Sequence, residues 1–384
     1  MGTGRVKYMG SKRVMLQNGF GSAISSAAAE SERIVDLMAG SGAVAWYAAQ
    51  RFDQPVLAVD LQAYSAVLSA AVISRTRGLN VGKLEREWLE PARQSAWRSS
   101  HWSVAEEFDL PADRKAVERA RALCGGEGSG MIWSAYGGHY FSPRQAIQLD
   151  HALTLLPARE PDHSACRAAL IAAAGYCAAA PGHTAQPFQP TSSAIPYIRD
   201  FWRRDPLAYA ASWLADISPR FARRKGATEV ADALHVVEDL DASDLVIIDP
   251  PYSDVQYSRF YHVLEAIARA DGGIVSTPVT GVGRYPPFTA RPRSDFSLKS
   301  RSQDAIEDLL DALAERGCRA IITFPANRCS NGLSGTHIAR LARRQFKVRT
   351  KTVKGRFSTL GGNNTTRAAR TTSAELIITL YPRD

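Results

Sequence analysis

Apolar and polar positions along this chain alternate in two distinct rhythms. Residues 33–38, Arg-Ile-Val-Asp-Leu-Met, make a short apolar run that closes on Ala-Gly-Ser-Gly, and an alanine-rich stretch of helical character follows over 43–52. Residues 55–60 repeat the run and end on Asp60; residues 63–75 repeat the helix. That β-α-β-α order predicts a parallel sheet. Beyond Gly78 it stops, and residues 80–230 mix helical stretches with clusters of Trp, Gly and Pro, the clearest at 124–130 and 181–196. The strand pattern resumes at 244–249, Asp-Leu-Val-Ile-Ile-Asp, and continues with a predicted helix over 302–316 and a strand over 319–324. Two β-rich runs, 346–353 and 375–381, close it. The pattern predicts an α/β protein: a doubly wound, Rossmann-like sheet domain built from residues 1–78 and 232–384, with an inserted region over 79–231. The insert is where specificity is expected.

The strand tips carry the first candidate chemistry. In Asp36-Leu-Met38-Ala-Gly40-Ser-Gly42 the two glycines let the backbone turn sharply and approach a ligand, and the helix that follows offers free N–H groups. Asp60, ending the second strand, is placed to bind ribose hydroxyls. A nucleoside cofactor at the switch point of the sheet is the expectation. The third glycine of the dinucleotide fingerprint is replaced by the bulk of Trp46 and Tyr47, which argues against NAD.

A second motif, Asp249-Pro250-Pro251-Tyr252, follows the apolar run 245–248 directly. Two prolines fix a rigid turn, so the Asp249 carboxylate and the Pro250 carbonyl become two acceptors at a set spacing. An aromatic amino group has two hydrogens to give them. Gripping both would favour a pyramidal nitrogen whose lone pair is free to attack an electrophilic methyl, with Tyr252 stacked on the base. An amine inside a duplex is out of reach, so the target nucleotide must flip out.

With these parts in this order the chain resembles the Dam-like DNA adenine-N6 methyltransferases, at both of its ends. Lys7-Tyr8-Met9-Gly10-Ser11-Lys12-Arg13 looks like the family's N-terminal segment, which implies that Lys7, Tyr8, Met9, Gly10, Ser11 and Lys12 line the methionine end of S-adenosylmethionine. Asp36, Met38, Gly40 and Gly42 match the glycine motif, with Met38 where the family usually has an aromatic, and Asp60 matches the ribose acid. By position, Asp239 or its neighbour Glu238 would contact the cofactor adenine. Residues 140–143 and 256–262 also resemble segments of these enzymes, whereas 182–196 matches none. The resemblance implies a methyltransferase fold in which the insert recognises the target. It implies methyl transfer to adenine N6 of double-stranded DNA, with N4 of cytosine or adenine in RNA as alternative targets and a silent DNA-binding relative as the rival. A restriction or defence-system protein is the further partner it suggests. No Pro-Cys turn follows the fourth strand, which disfavours ring-carbon methylation of cytosine.

Charge sharpens the choice of polymer. The net charge is +9, yet residues 284–384 hold 19 Lys and Arg against 8 Asp and Glu, and 316–374 hold 13 basic residues and no acid. So uncompensated a stretch favours contact with phosphates over a merely solvated surface. Arg291, Arg293, Lys351 and Arg356 are the candidates to follow a DNA backbone, with Arg259 beside the second motif and Tyr257 as a stacking ring. His262 and Glu265, one helical turn apart, read as a packed pair, and His139 as local structure. With 45 % hydrophobic residues the chain can bury a substantial core. It has no run of about 18 apolar residues and no signal-peptide core, so a cytoplasmic protein without membrane contact is expected. Five scattered cysteines at no metal-ligand spacing read as reduced thiols, and no metal is expected.

Overall fold

The computed structural model describes residues 12–126, 130–270, 283–358 and 370–383, and the side chains of all of these except 354–358 and 370–373. They divide into two compact units, one drawn from 8–76, 221–256 and 292–384, the other from 77–220 and 257–291.

The first unit is α/β. Its strands are β1 (Arg33–Asp36), β2 (Val56–Asp60), β3 (Ala227–Val230), β4 (Asp244–Ile248), β5 (Arg319–Pro325), β6 (Phe346–Ser358) and β7 (Arg370–Pro382). They form one seven-stranded mixed sheet in the order β3-β2-β1-β4-β5-β7-β6. The first five strands in that order run parallel, with Val35 opposite Val246 and Ile34 opposite Val56. β7 lies antiparallel between β5 and β6. Every residue of β4 is buried, as a strand covered on both faces requires. Each fully buried Val, Leu or Ile side chain there contributes roughly 1.5–3 kcal/mol. The start of β1 is tied to the start of β4 by Arg33, which donates to both oxygens of Asp244 at 2.7 Å.

One face of the sheet is covered by the helix Ser302–Glu315, whose Ala305, Ile306, Leu309, Leu310 and Leu313 form a single apolar stripe against β4 and β5. The helices Ala43–Arg51 and Ala63–Ile73 pack on each other, and Trp46 Nε1 donates to the Leu68 carbonyl at 3.0 Å. At Gly42 the backbone is left-handed, φ +73°, and an added Cβ would lie 3.1 Å from both Ser69 Oγ and Trp46 Nε1. Glycine is therefore required there for packing as well as for the turn.

The boundaries differ from the sequence reading at two places. The sheet unit resumes at 221, not 232, because 227–230 is the edge strand β3. Its Ala-Thr-Glu-Val is short and mostly exposed, so it lacks an apolar run. Residues 257–291 fold with the helical unit instead of the sheet.

In that second unit the described elements are helical. The long helix Asp162–Cys177 packs against Pro206–Ile217 and His262–Ala268. Pro143–Thr154 begins with a capping box: Ser142 Oγ accepts from the Gln145 N–H at 3.1 Å and Gln145 Oε1 from the Ser142 N–H at 2.9 Å. Tyr140, Phe141 and Trp202 are core residues here. Part of the unassigned segment 182–196 is a strap, for the Thr184 carbonyl accepts from Tyr140 Oη at 2.6 Å and from His262 Nε2 at 2.7 Å. Burial pushes His262 down to about 3, so it is neutral, and Glu265 pairs with Arg269. No helix among the described residues is long and apolar enough to cross a membrane. The five cysteines are free, four of them buried, and no cluster of metal ligands occurs among the described residues.

Candidate active site

In the parallel part of the sheet every carboxyl end faces the same way. β2 and β1 end on Asp60 and Asp36, and β4 runs directly into Asp249, so three neighbouring strands deliver three carboxylates to one edge. Connections leave in opposite directions around β1 and β4, which makes this edge the switch point where α/β sheets hold ligands.

Asp60 is bound into the glycine turn. Its Oδ2 accepts from the Gly40 N–H at 2.8 Å and its Oδ1 from the Gln62 N–H at 2.9 Å. A carboxylate at this strand tip is an acceptor of the kind that ligand hydroxyls require. Gly40 sits at φ +52°, which aims that N–H at the carboxylate. Met38 is half-buried and packs against the sheet core.

Asp36 is buried, and its Oδ2 has no partner among the described residues. Burial first, then the charges of Asp249 and Asp60, push its carboxyl up to about 7, against backbone N–H groups of Ala45 and Met38 that favour the ionised form. Since the folded value lies above the ordinary 3.8, the folded protein keeps a proton that the unfolded chain releases between pH 3.8 and about 7. Stability therefore falls as pH rises through that window, by on the order of 2–4 kcal/mol. Urea unfolding across it should show the decline in the wild type and a clearly smaller one in Asp36→Asn; equal slopes would mean that Asp36 is ionised throughout.

Among the described residues Asp249 is held through one carboxylate oxygen. Asp249 Oδ1 is 2.7 Å from Lys12 Nζ and accepts from Thr323 Oγ1 at 2.9 Å. Lys12 is 4 % exposed and also pairs with Glu375 Oε1 at 2.8 Å. Burial alone would lower the lysine's pKa, but the two carboxylates outweigh it and hold it well above the usual range. Glu375 is itself raised, chiefly by burial, with Lys12 opposing and Asp249 adding. Tyr252 is half-buried with its ring centre 5.8 Å from Lys12 Nζ, and Pro250 is buried. The Pro251 carbonyl accepts from Asn331 Nδ2 at 2.7 Å, and the same amide donates to the Phe296 carbonyl at 3.0 Å. Two acceptors stay unclaimed among the described residues: Asp249 Oδ2 and the Pro250 carbonyl.

The structure thus brings together Asp36, Met38, Gly40, Gly42, Asp60, Lys12 and the turn 249–252. Lys12 meets Asp249 itself. Lys7, Tyr8, Met9, Gly10 and Ser11 lie outside the described residues, as does the side chain of Arg356. The assignment of Asp239 to the cofactor is corrected: it is exposed, on the approach to the amino end of β4, at the opposite edge from the carboxylates. Asp232, just past β3, stands at the carboxyl edge, where it accepts from the Leu234 N–H at 3.0 Å. Tyr257 stacks beside Tyr261 at 6.3 Å, and Arg259 and Arg291 lie in the same helical unit. Arg293 is exposed in the sheet unit. Lys351, also exposed, passes over Gly19, where an added Cβ would be 2.7 Å from its Nζ.

Thr323, Asn331 and Glu375 were missed in the sequence. A signal existed for two: Thr323 is the polar residue in the apolar run Ile-Ile-Thr-Phe, and Glu375 is the first acid after an acid-free stretch, within an apolar strand. No known protein-family model matches this chain, and no curated protein matches it.

Proposed function

We propose that this protein transfers a methyl group from S-adenosylmethionine to the N6 amino group of an adenine flipped out of double-stranded DNA. The observation that carries the reading is the pair of acceptors at the tip of β4 left unclaimed among the described residues, Asp249 Oδ2 and the Pro250 carbonyl, beside a glycine turn edged by Asp36 and Asp60. Two acceptors suit the two hydrogens of a neutral aromatic amine.

The donor set fits the cofactor. S-adenosylmethionine is a sulfonium that supplies an electrophilic methyl, and a bound cation would draw the buried Asp36 carboxyl, whose Oδ2 is unpartnered among the described residues, into its ionised form. Gly40, Gly42 and Asp60 would hold its nucleoside, as the glycine turn and ribose acid of related sheets do. The antiparallel β6–β7 hairpin separates this sheet from the all-parallel dinucleotide-binding one and accords with the methyltransferase fold that the resemblance implies.

On this reading Asp249 Oδ2 and the Pro250 carbonyl hold the amine by its hydrogens, keep its lone pair turned toward the donor, and Oδ2 takes the proton that the nitrogen sheds. Tyr252 covers the face of the base. The catalytic contribution is positioning and a fixed negative potential, with no covalent bond between enzyme and substrate.

The test is incubation of the full chain with labelled cofactor and either duplex DNA or single-stranded RNA of the same sequence, followed by nucleoside analysis. N6-methyladenine from the duplex is expected. N4-methylcytosine as the product, or RNA methylated at least as well as DNA, would replace the target; cofactor binding without transfer to either polymer would favour a silent relative.

A further inference from the structure

Within the helical unit, two arginines meet at one ring. Arg259 comes from the short helix Tyr257–Phe260, and Arg291 from the end of the segment 283–291. Their guanidinium carbons lie 5.2 and 5.0 Å from the ring centre of Tyr285, and Arg291 is also 5.7 Å from that of Phe288. Among the described residues neither arginine has a carboxylate partner, and the Nε atom of each is buried without a hydrogen bond. Cation–π contact orients them, but it does not neutralise them.

The charged side chains that act on these groups among the described residues are arginines. Burial lowers the Arg291 pKa, Tyr285 opposes this, and the charge of Arg259 lowers it further. His183 is lowered by burial, with Arg259 adding, and His262 by burial, with Arg291 adding. The segment begins under strain: Arg284 is the one described non-glycine residue with a left-handed backbone, φ +50°. Its guanidinium is spent on the carbonyls of Ser134 and Ala135, which fixes the start of the segment that carries Tyr285 and Arg291. Two like charges held together without a counter-ion among the described residues, one of them on a segment anchored in a left-handed conformation, are arranged for an anion that arrives from outside.

Phe288, 54 % exposed, stands beside them. Arginine with an exposed aromatic suits a nucleic-acid strand, whose phosphate and base can be met together, better than an acidic peptide, which has no base to stack. We infer that Arg259 and Arg291, clasping Tyr285, form a site for backbone phosphate of a nucleic acid, with Phe288 as its stacking neighbour. The site rests on the nucleic-acid part of the proposed function and is independent of methyl transfer.

The test measures binding of labelled duplex DNA to the full chain as a function of salt. R259Q/R291Q should weaken binding at least tenfold near 100 mM salt and lower the slope of log affinity against log salt by about one to two. R259K/R291K should keep the slope, and R86Q, an exposed charge elsewhere, should change nothing. Tyr285→Leu retains both charges but removes their shared platform, and should weaken binding as well. A wild-type slope in R259Q/R291Q would overturn the site, as would polyglutamate binding that depends on the two arginines more than DNA binding does. Displacement of DNA by inorganic phosphate at matched ionic strength would reassign the site to a free anion. If no methylated nucleoside forms but binding still depends on these arginines, only the transfer reading falls; if methylation proceeds and the arginines are immaterial, only this site does.

Discussion

Replacing Asp249 by Asn is expected to lower the single-turnover rate of methyl transfer by about 10³-fold, or roughly 4 kcal/mol, while cofactor affinity stays within a few-fold. The hydrogen-bond pattern makes the outcome specific. Lys12 and Thr323 both occupy Oδ1, so the carbonyl oxygen of an asparagine must take that position and its NH₂ must take the place of Oδ2. A donor would then face the hydrogens of the target amine where an acceptor stood. Lys12 keeps Glu375 as a partner, so the fold should survive. Calorimetric cofactor binding together with rapid-quench transfer separates the two effects. Loss of both in proportion would give Asp249 a structural role and remove the amine-gripping argument.

The second large effect is on stability. Lys12→Met leaves Asp249 and Glu375 without the buried ammonium that lies between them, and stranding buried charge in this way costs about 3–5 kcal/mol. The loss should be greatest at alkaline pH and shrink as pH falls. Glu375 is already raised by burial and by Asp249, and without Lys12 to oppose this it rises further, so its protonation relieves the repulsion as pH falls. The double variant K12M/E375Q, with one carboxylate fewer, should recover a good part of the stability. Urea unfolding at two pH values decides the point; a K12M protein as stable as the wild type at alkaline pH would mean that water already satisfies these groups.

Much of this protein was legible in the order of its residues. Apolar runs located β1, β2, β4 and β5, since a strand covered on both faces is apolar along its length, and two β-rich runs located β6 and β7. The Asp36, Asp60 and Asp249 tips were visible because they end those runs, and the two prolines after Asp249 determined a rigid turn whatever its surroundings. β3 was hidden, being a short edge strand with little to bury.

What only the tertiary structure decided is which side chains meet. Glu375 lies 126 residues beyond Asp249 in the chain, and it reaches the same lysine because β7 runs antiparallel, so that its first residues lie at the carboxyl end of β5, with Glu375 opposite Pro325. Thr323 meets Asp249 through the register of β4 against β5. Local pattern carries no information about strand direction or register across so long a loop, because those are selected by the packing of the whole sheet. The same reason moved the cofactor assignment away from Asp239: spacing along the chain placed it, but the parallel crossover from β3 to β4 carries it to the wrong edge.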